Sequence, residues 1–502
     1  MPAAESWIVV PVAAPLVAAL LSFLLRRGSF ALSLAAAAGN VLAAVVLVSR
    51  FLSLGPAVYA IGGWNPPLGI TLRTDGPALI MLVITAIAAV GITLYAWGYF
   101  SHRIDQPARI GRPERQERFF WPLWMLQLTA LNGLFLSGDI FNLYVTLELI
   151  GISAAGLAAL SGKTASLIAS FRYLLVSLLG SLSYLLGVVF LYKTYGVLDL
   201  GILQRLAGPE PGVTAALAVM SAGLLLKTAL FPLHFWLPPA HANALAPVSG
   251  ILSGLVVKGS FFLLFRLWFD IFSPALPPPA FELMGLLGAG AVLWGAVHAL
   301  RQQRLKLLIA YSTVSQLGYL FIAFPLAFAG GTSQAWSAVL FMAAGHACAK
   351  IAMFMAAGTI LLHTGHDRIN ELAGIRAYLP VTAFAYAVAG VNLIGLPPSA
   401  GFVAKWMMLI AALYTSQWLW ALVLMAGSFL ATGYVFKVVS QLFIIPPGIP
   451  VIERHRRAGF LEWPALVLAL ISLLMGLAAP YPLRLLDSGI MPLAALAMGG
   501  GP

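Results

Sequence analysis

Cysteine is almost absent from the sequence. Only one of the 502 residues is a cysteine, Cys348. A single thiol excludes an internal disulfide, a CxxC redox pair and an iron–sulfur cluster held by this chain alone. The phosphate-binding pattern GxxxxGK[ST] is also missing, so the usual sign of a nucleotide-driven motor is lacking. We therefore expect no cofactor and no resident metal.

Charged residues are scarce as well. They make up 9% of the chain, whereas hydrophobic residues make up 61%. An ordinary soluble domain is about 25% charged. Long apolar runs recur from end to end and predict an all-α polytopic membrane protein. The N-terminus carries Glu5 in place of a basic region, so we interpret its first apolar run as a membrane helix and not as a cleaved signal peptide.

The apolar runs predict about fourteen transmembrane helices. Most are plainly separated, but only Ser137–Asp139 divides the fourth from the fifth. The predicted spans are 7–25, 30–53, 78–100, 119–137, 140–160, 170–192, 212–236, 246–269, 281–299, 305–328, 334–362, 380–411, 417–444 and 461–480.

Basic residues favour one of the two alternating sets of loops. Seventeen lie in one set and six in the other. Under the positive-inside rule, this bias supports the helix count and places both termini outside the cytoplasm, with the chain in the cell inner (plasma) membrane. The net charge of +12 then faces anionic lipid of the bilayer, so no nucleic-acid partner is needed to explain it.

Proline and glycine interrupt two of the spans. In the seventh, the interruption follows Lys227; in the twelfth, it precedes Lys405. Broken helices at membrane depth are tolerated beside protein or water, and a pair of them points to a transport site between inverted repeats. The predicted helix breaks are Pro232 and Pro238 in the seventh span, and Pro397 and Pro398 in the twelfth.

The two breaks correspond if the chain contains two five-helix repeats. These would be spans four to eight (119–269) and nine to thirteen (281–444), inverted in the membrane because five is an odd number. Three N-terminal helices over 1–100 precede them, and a loop with the last helix over 445–502 follows. Because the loops are short, we predict that residues 1–502 form a single membrane domain.

Ionisable residues inside the predicted spans are candidate functional groups. A charge inside a bilayer is costly and persists only if it is paired or hydrated. Glu148 is the one acidic residue that we place well inside a span. Lysine suits a proton relay, because burial disfavours its charged form and a nearby carboxylate restores it. The predicted proton-translocation residues are Glu148, Lys227, Lys258, His346, Lys350 and Lys405, with His234 and Lys306 as further candidates for the proton path.

Simpler explanations stand beside these roles. A lysine near a helix end can extend to the interface, and a histidine can hydrogen-bond the backbone freed at a break. Histidines with weak metal spacing in a loop are better interpreted as solvated, and a buried ion pair can be static. The residues concerned are Lys306 and Lys437 for the first case, His234 and His241 for the second, and His363 and His366 with Asp367 for the third.

Five motifs carry a resemblance to a known family. They are GDIFNLYVTLEL, LLLKTALFPLHFWLPPAHANALAPVSGILSGLVVKG, AYSTVSQLGYL, HACAKIAMFMAAG and GLPPSAGFVAKW. Over essentially its whole length, the chain resembles the antiporter-like subunits shared by Mrp-type multisubunit Na+/H+ antiporters and the membrane arm of complex I. Within that family it looks most like the D-type subunits of the Mrp antiporters.

The resemblance implies fourteen helices, inverted repeats and specific roles for the buried charges. It also implies that the partners are other membrane subunits of a hetero-oligomeric assembly. Arg304 departs from the pattern, since relatives often have an acidic residue there, and this affects the expected tuning of Lys306. The implied roles are an interacting pair for Glu148 and Lys227, a central connection for Lys258 with His346 and Lys350, and a terminal lysine for Lys405.

Three functions are compatible with the sequence. The first is a proton-translocating subunit of a monovalent cation (Na+)/H+ antiporter. The second is the same module in a redox-driven proton pump of the complex I or membrane-bound hydrogenase type, whose electron chemistry belongs to other subunits. The third is a membrane scaffold that transports nothing. Because no cluster of carboxylates marks a cation cage, we expect H+ to pass through this subunit, which would be a transporter component and not an enzyme by itself.

Overall fold

The structure is a computed structural model that describes residues 6–25, 28–104, 113–272, 275–329, 332–444 and 459–487. The region over 445–502, predicted as a loop and the last helix, lies partly outside these residues. The fourteen predicted spans all coincide with helices. They are α1 (Val10–Leu25), α2 (Ser29–Leu54), α3 (Gly76–Ile104), α4 (Pro113–Leu136), α5 (Ile140–Ala159), α6 (Thr164–Tyr195), α7a (Pro211–Thr228), α7b (Leu237–Asn243), α8 (Ala246–Ile271), α9 (Pro278–Arg301), α10 (Leu305–Phe328), α11 (Thr332–Thr364), α12a (Pro380–Ile394), α12b (Ala400–Tyr414), α13 (Trp418–Phe443) and α14 (Gly459–Leu474).

The helices have the length and composition of membrane spans. Within the described residues, eleven helical segments are long and apolar enough to cross a bilayer, and α1, α12a, α12b and α14 are shorter apolar helices. The division between α4 and α5 is confirmed, because Asp139 caps α5 by accepting a hydrogen bond from the Asn142 N–H at 2.7 Å. The prediction of an all-α, multi-pass membrane protein is confirmed.

The two broken helices share a local geometry. Helix α7a ends at Thr228 and is followed by Ala229 in the left-handed region at φ 59°. Helix α12a ends at Ile394 and is followed by Gly395 at φ 85°. In each break the residue after the left-handed one donates its N–H to a carbonyl five residues back, at 3.2 Å in the first and 3.1 Å in the second; the bonds are Leu230 to Leu225 and Leu396 to Val391.

The prolines take different places in the two breaks. Pro232 lies between α7a and α7b, whereas Pro238, predicted as a second break, stands in the first turn of α7b. Proline is well tolerated there, because the first N–H groups of a helix have no partner within it. Pro397 and Pro398 both lie between α12a and α12b.

A second pair of matched contacts involves the starts of α5 and α10. At the start of α5, Asp139 forms an isolated antiparallel bridge with Asp199. At the start of α10, Arg304 forms the same bridge with Arg368. These contacts and the matched breaks are what two copies of one helix arrangement would produce. The chain crosses five helices, α5 to α9, between the two helix starts, so the two bridges lie at opposite ends of the molecule. The repeat boundaries themselves remain a prediction.

A buried ion network lies at the end of the bundle that carries the Asp139 bridge. A short hairpin of β1 (Ala57–Ala60) and β2 (Thr71–Thr74) leads to Asp75. Asp75 accepts from Arg73 at 2.9 Å and from Arg266 of α8 at 2.7 Å, and Arg266 also binds Asp270 at 2.7 Å. Burial alone would raise the pKa of Asp75, but the charges of Arg266 and Arg73 outweigh it and lower that pKa to about 2.

Helix α14 is attached to its neighbour through a second buried carboxylate. Glu462 of α14 is 1% exposed, and one of its oxygens accepts from the N–H of Thr382 at 3.0 Å and from the Thr382 hydroxyl at 3.1 Å. Thr382 lies in the first turn of α12a, where a helix favours negative charge. Glu462 therefore caps a neighbouring helix.

Glu462→Gln is expected to lower the free energy of unfolding by about 1–2 kcal/mol, because it removes the charge that stabilises this helix start. The melting temperature of the purified protein in detergent measures the effect. Glu371→Gln is the matched control, since the side chain of Glu371 is 48% exposed. Equal melting temperatures for both variants would contradict the capping role.

Candidate proton-translocation site

Glu148 and Lys227 meet through a serine. The Ser181 hydroxyl of α6 donates to a carboxylate oxygen of Glu148 and accepts from the ammonium of Lys227 at 3.0 Å. Within the described residues the two charged groups form no direct ion pair. Lys227 is 6% exposed, so its ammonium depends on protein partners. A hydroxyl between a carboxylate and an ammonium is both donor and acceptor, and can pass a proton in either direction.

The remaining donors of Lys227 are satisfied by α5 and α6. The ammonium donates to the Ser177 hydroxyl at 2.8 Å, to the Ser177 carbonyl at 3.2 Å and to the Leu147 carbonyl at 3.2 Å. Close helix packing makes this possible. A Cβ added at Gly180 would lie 2.6 Å from Cγ of Lys227, so only glycine lets the lysine pass across α6.

Ser181→Ala is expected to lower transport roughly tenfold or more while leaving the amount of folded protein unchanged, because it deletes the hydrogen bonds that join two charged groups. Ser183→Ala is the matched control, since among the described residues the Ser183 hydroxyl donates to a carbonyl of its own helix alone, that of Leu179 at 2.8 Å. Proton flux in reconstituted vesicles is the measurement. If the two variants transport equally well, Ser181 does not connect the pair.

Lys258 lies on α8 beside a π-helical turn. The turn covers Leu252–Val256, and the ammonium of Lys258 reaches back to the Ser253 carbonyl within it. A π turn shifts the normal helical hydrogen bonds and occurs frequently at functional sites. The Ser253 hydroxyl also shares a 2.8 Å hydrogen bond with Thr313 of α10, so α8 and α10 are connected beside this lysine.

One polar stripe on α10 connects two more lysines, because it contacts Lys350 directly and shares the Leu393 carbonyl with Lys405. Lys350 donates to the Ile309 carbonyl at 2.7 Å and to the Ser312 hydroxyl at 2.5 Å. Gln316, one turn further along α10, donates to the Leu393 carbonyl at 3.1 Å. Ser312, Thr313 and Gln316 share one helical face because residues three and four apart are neighbours on a helix. The stripe therefore connects the centre of the bundle to the second broken helix.

Lys405 binds the free end of α12a. Its ammonium donates to the carbonyls of Leu393 at 2.8 Å and Ile394 at 3.1 Å, and lies 4.3 Å from the centre of the Tyr319 ring. The last carbonyls of a helix lack partners within the helix and carry partial negative charge, so they attract a cation. The structure thus places Lys405 next to the break between α12a and α12b, just as Lys227 lies next to the break between α7a and α7b.

Two buried histidines lie among the lysines. His346 is 2% exposed and lies within electrostatic reach of Lys258, Lys350 and Lys405. His241 is fully buried and stacks on Phe354 with ring centroids 5.4 Å apart. Among the described residues, neither imidazole has a hydrogen-bond partner on either ring nitrogen. Both rings can therefore accept or donate a proton.

Other candidates lie outside this row. His234 is half-buried and stacks on Phe231, with ring centroids 5.6 Å apart, away from the lysines. Lys306 does not extend to the interface: it is 2% exposed and donates to the Ala244 carbonyl at 2.6 Å. Lys437 donates to the carbonyls of Leu300 at 2.8 Å and Gln302 at 2.7 Å, at the end of α9.

The loop histidines have separate partners. His363 contacts the Thr359 carbonyl at 2.9 Å through Nδ1, and Nε2 of His366 lies 3.6 Å from a carboxylate oxygen of Glu371. Asp367 binds Arg304 at 3.0 Å. Within the described residues, no group of three or more His, Cys, Asp or Glu side chains could hold a metal ion.

These features define the class of protein. A multi-pass helical bundle with two broken helices, a buried row of lysines and histidines and one half-buried carboxylate is a membrane protein built to move ions. The model of the family described as "NADH:quinone oxidoreductase/Mrp antiporter, TM" matches residues 137–431. The chain belongs to this family, as the motifs predicted.

Relatives from both branches of the family are similar to the chain. NADH-quinone oxidoreductase subunit N of Desulforudis audaxviator is 33% identical, over 86% of this chain and 87% of the relative. The D-type subunit of the Na(+)/H(+) antiporter of Alkalihalophilus pseudofirmus is 26% identical, over 90% and 91%. A chain in the structure of the Mrp complex from Dietzia sp. superimposes with a TM-score of 0.86 at 25% identity, covering 97% of both chains.

Proposed function

We propose that this chain is the proton-translocating subunit of a multisubunit monovalent cation (Na+)/H+ antiporter. The observation that carries the proposal is the contact of Glu148 and Lys227 through the hydroxyl of Ser181. A static ion pair gains most from direct contact, whereas a pair joined by a hydroxyl can exchange a proton. Similarity to the D-type subunit of a Na(+)/H(+) antiporter and to a chain of an Mrp complex supports the same function.

The proposed mechanism couples neighbouring charges. An ionised Glu148 stabilises the ammonium of Lys227, and protonation of Glu148 removes this stabilisation. Lys227 then releases its proton towards the interior of the bundle. Lys258 and Lys350 lie next along the row, where each charge disfavours the next, so a proton that reaches one displaces a proton from its neighbour. His241 and His346 lie among these lysines and can carry the proton between them.

The setting of the subunit is part of the proposal. Its partners are other membrane subunits, as expected from the Mrp complex that the fold resembles. The bias of basic residues supports an orientation with both termini outside the cytoplasm, in the cell inner membrane. We propose H+ as the ion that passes through this chain, and Na+ as an ion that crosses elsewhere in the assembly.

A redox-driven proton pump is the second candidate. The observation in its favour is the 33% identity to NADH-quinone oxidoreductase subunit N. The same row of charges would then respond to electron transfer in other subunits. The two candidates differ in their partners, so identifying the partners distinguishes them.

The first experiment is a mild-detergent purification from native membranes, with every co-purifying protein identified by mass spectrometry. Recovery of membrane proteins without redox cofactors supports the antiporter. Recovery of iron–sulfur or flavin subunits overturns it in favour of the pump.

Lys227→Met then tests transport itself. The variant is expected to assemble normally and to lower proton flux by roughly 10²-fold, because a proton-transfer group is lost. Lys193→Met, which changes an exposed lysine in the last turn of α6, is the matched control. Reduced assembly with normal flux per complex would identify a scaffold.

A further inference from the structure

A cavity of about 1600 Å³ opens at the end of the molecule where α5 ends and α10 begins. We name it the basic vestibule. Lys306, which lies outside the row of charges described above, is one of its lining residues. Its basic lining residues are Arg103, Arg115, Lys163, Arg304, Lys306 and Arg368.

The positive charge of the basic vestibule is only partly balanced. Asp367 is the acidic residue among its lining residues, and it already binds Arg304 at 3.0 Å. Arg368 binds Glu371 at 3.2 Å. Arg115 and Lys163 have no carboxylate partner in the part of the chain that the structure describes. An excess of cations around one cavity creates a potential that attracts an anion.

A buried lysine adds to this excess. Lys306 is 2% exposed and lines the basic vestibule. Its ammonium carries three N–H donors, and among the described residues it has one acceptor, the Ala244 carbonyl at 2.6 Å. A buried cation with unfilled donors is unfavourable, and an anion in the cavity would satisfy them.

Two helix starts beside the basic vestibule also favour the binding of an anion. Lys163 and Arg304 are the residues that precede the first turns of α6 and α10, and neither helix has a side-chain cap there. The first N–H groups of a helix lack partners within it and carry partial positive charge. The first N–H of α10, that of Leu305, already donates to the Asp367 carbonyl at 2.7 Å. The other first-turn N–H groups of the two helices are further donors of the kind that bind phosphate.

We propose that the basic vestibule binds a phosphate-bearing anion, which is either the headgroup of an anionic phospholipid or free phosphate. Its walls also contain Leu160 and Leu167, and Leu167 is 49% exposed on α6. An acyl chain can therefore extend from the vestibule along the outer surface of α6. Basic pockets between membrane helices bind phospholipid headgroups in this way.

The test compares wild type with the double variant Arg115→Gln/Lys163→Gln, each purified as the full chain with its native partners. Phosphatidylglycerol and cardiolipin that remain after repeated detergent washing are quantified by mass spectrometry, and binding of radiolabelled inorganic phosphate is measured on the washed protein. The double variant is expected to bind the anion with roughly tenfold lower affinity, because two cations beside the site are lost. Both side chains are exposed, so folding should be unaffected, and melting temperatures check this.

Arg172→Gln/Arg301→Gln is the matched control. These arginines are exposed, lie on α6 and at the end of α9, and do not line the basic vestibule. Loss of retained lipid in the vestibule variant alone supports the proposal with a phospholipid as the ligand. Loss of phosphate binding in that variant alone supports it with free phosphate as the ligand. Equal retention and equal phosphate binding in wild type and both variants overturn the proposal.

Discussion

Glu148→Gln is expected to lower proton transport by roughly 10²-fold or more, while the amount of assembled protein stays near that of wild type. The amide has the size of the carboxylate, and its oxygen can still accept the hydrogen bond of Ser181. It cannot bind or release a proton, and it no longer stabilises the ammonium of Lys227. The variant therefore separates the charge of Glu148 from its place in the packing. Proton flux into vesicles containing the purified complex is the measurement.

Glu282→Gln is the control for this experiment. Glu282 is exposed in the first turns of α9, far from the row of lysines, so its amide should transport like wild type. The relay would be refuted if Glu148→Gln gave normal proton flux per complex but fewer assembled complexes. That outcome would mean that Glu148 only holds α5 against α6.

Arg266→Met is expected to have the largest effect on stability, about 3–5 kcal/mol in the free energy of unfolding. Its guanidinium holds Asp75 and Asp270 in a buried network, and methionine would leave Asp270 without its ion-pair partner. The measurement is the yield and melting temperature of the purified protein. Arg73→Met is the control, because the Arg73 side chain is 24% exposed and such pairs contribute about 0–1 kcal/mol.

The same network has a defined pH dependence. Because the pKa of Asp75 is lowered to about 2 from its usual 3.8, its contribution is complete above the unfolded value and is lost as pH falls towards 2. In Arg266→Met, Asp75 loses its strongest neighbouring cation, so burial raises its pKa and the variant loses stability as pH rises. The difference in melting temperature between wild type and Arg266→Met should therefore not become smaller as pH rises from 5 to 8. A difference that shrinks as pH rises over that range, or equal losses in Arg266→Met and Arg73→Met, would contradict the assignment.

Hydropathy and proline patterns predict most of the fold. The spans could be located because a membrane helix must be long and apolar, and the breaks because proline and glycine interrupt such runs. The details of the breaks could not be predicted. Pro238 lies in the first turn of α7b and does not interrupt it. This depends on where α7b starts, which the proline pattern alone does not give.

The charged members of the site could be predicted, but their connections could not. Glu148 and Lys227 are conspicuous because charge is rare in these spans. The role of Ser181 becomes clear only in the structure, although its spacing of four residues from Ser177 is visible in the sequence. Serine is common in membrane helices for packing alone, so the spacing has little weight without the helix neighbours.

The places of two histidines and of Glu462 also could not be predicted from the sequence. The sequence favoured His234 over His241 for the proton path, yet the structure places His241 among the lysines and His234 beside Phe231. The turn of the chain through the break decides which ring faces inward. Glu462 lies close to the predicted start of its span, and its role as a cap on α12a depends on a contact 80 residues away in the sequence.

The two matched bridges also distinguish the ends of the molecule. If the halves of the chain were identical, the bundle would look the same from either side of the bilayer, and nothing in it would fix which way round it was inserted. At equivalent points, the first half has Asp139 and Asp199, and the second has Arg304 and Arg368. Under the positive-inside rule the acidic pair is free to cross the bilayer, whereas the arginine pair favours the inner side. If the chain consists of the predicted inverted repeats, these four side chains contribute to its direction in the membrane, and a transporter without a direction could not be coupled to a gradient.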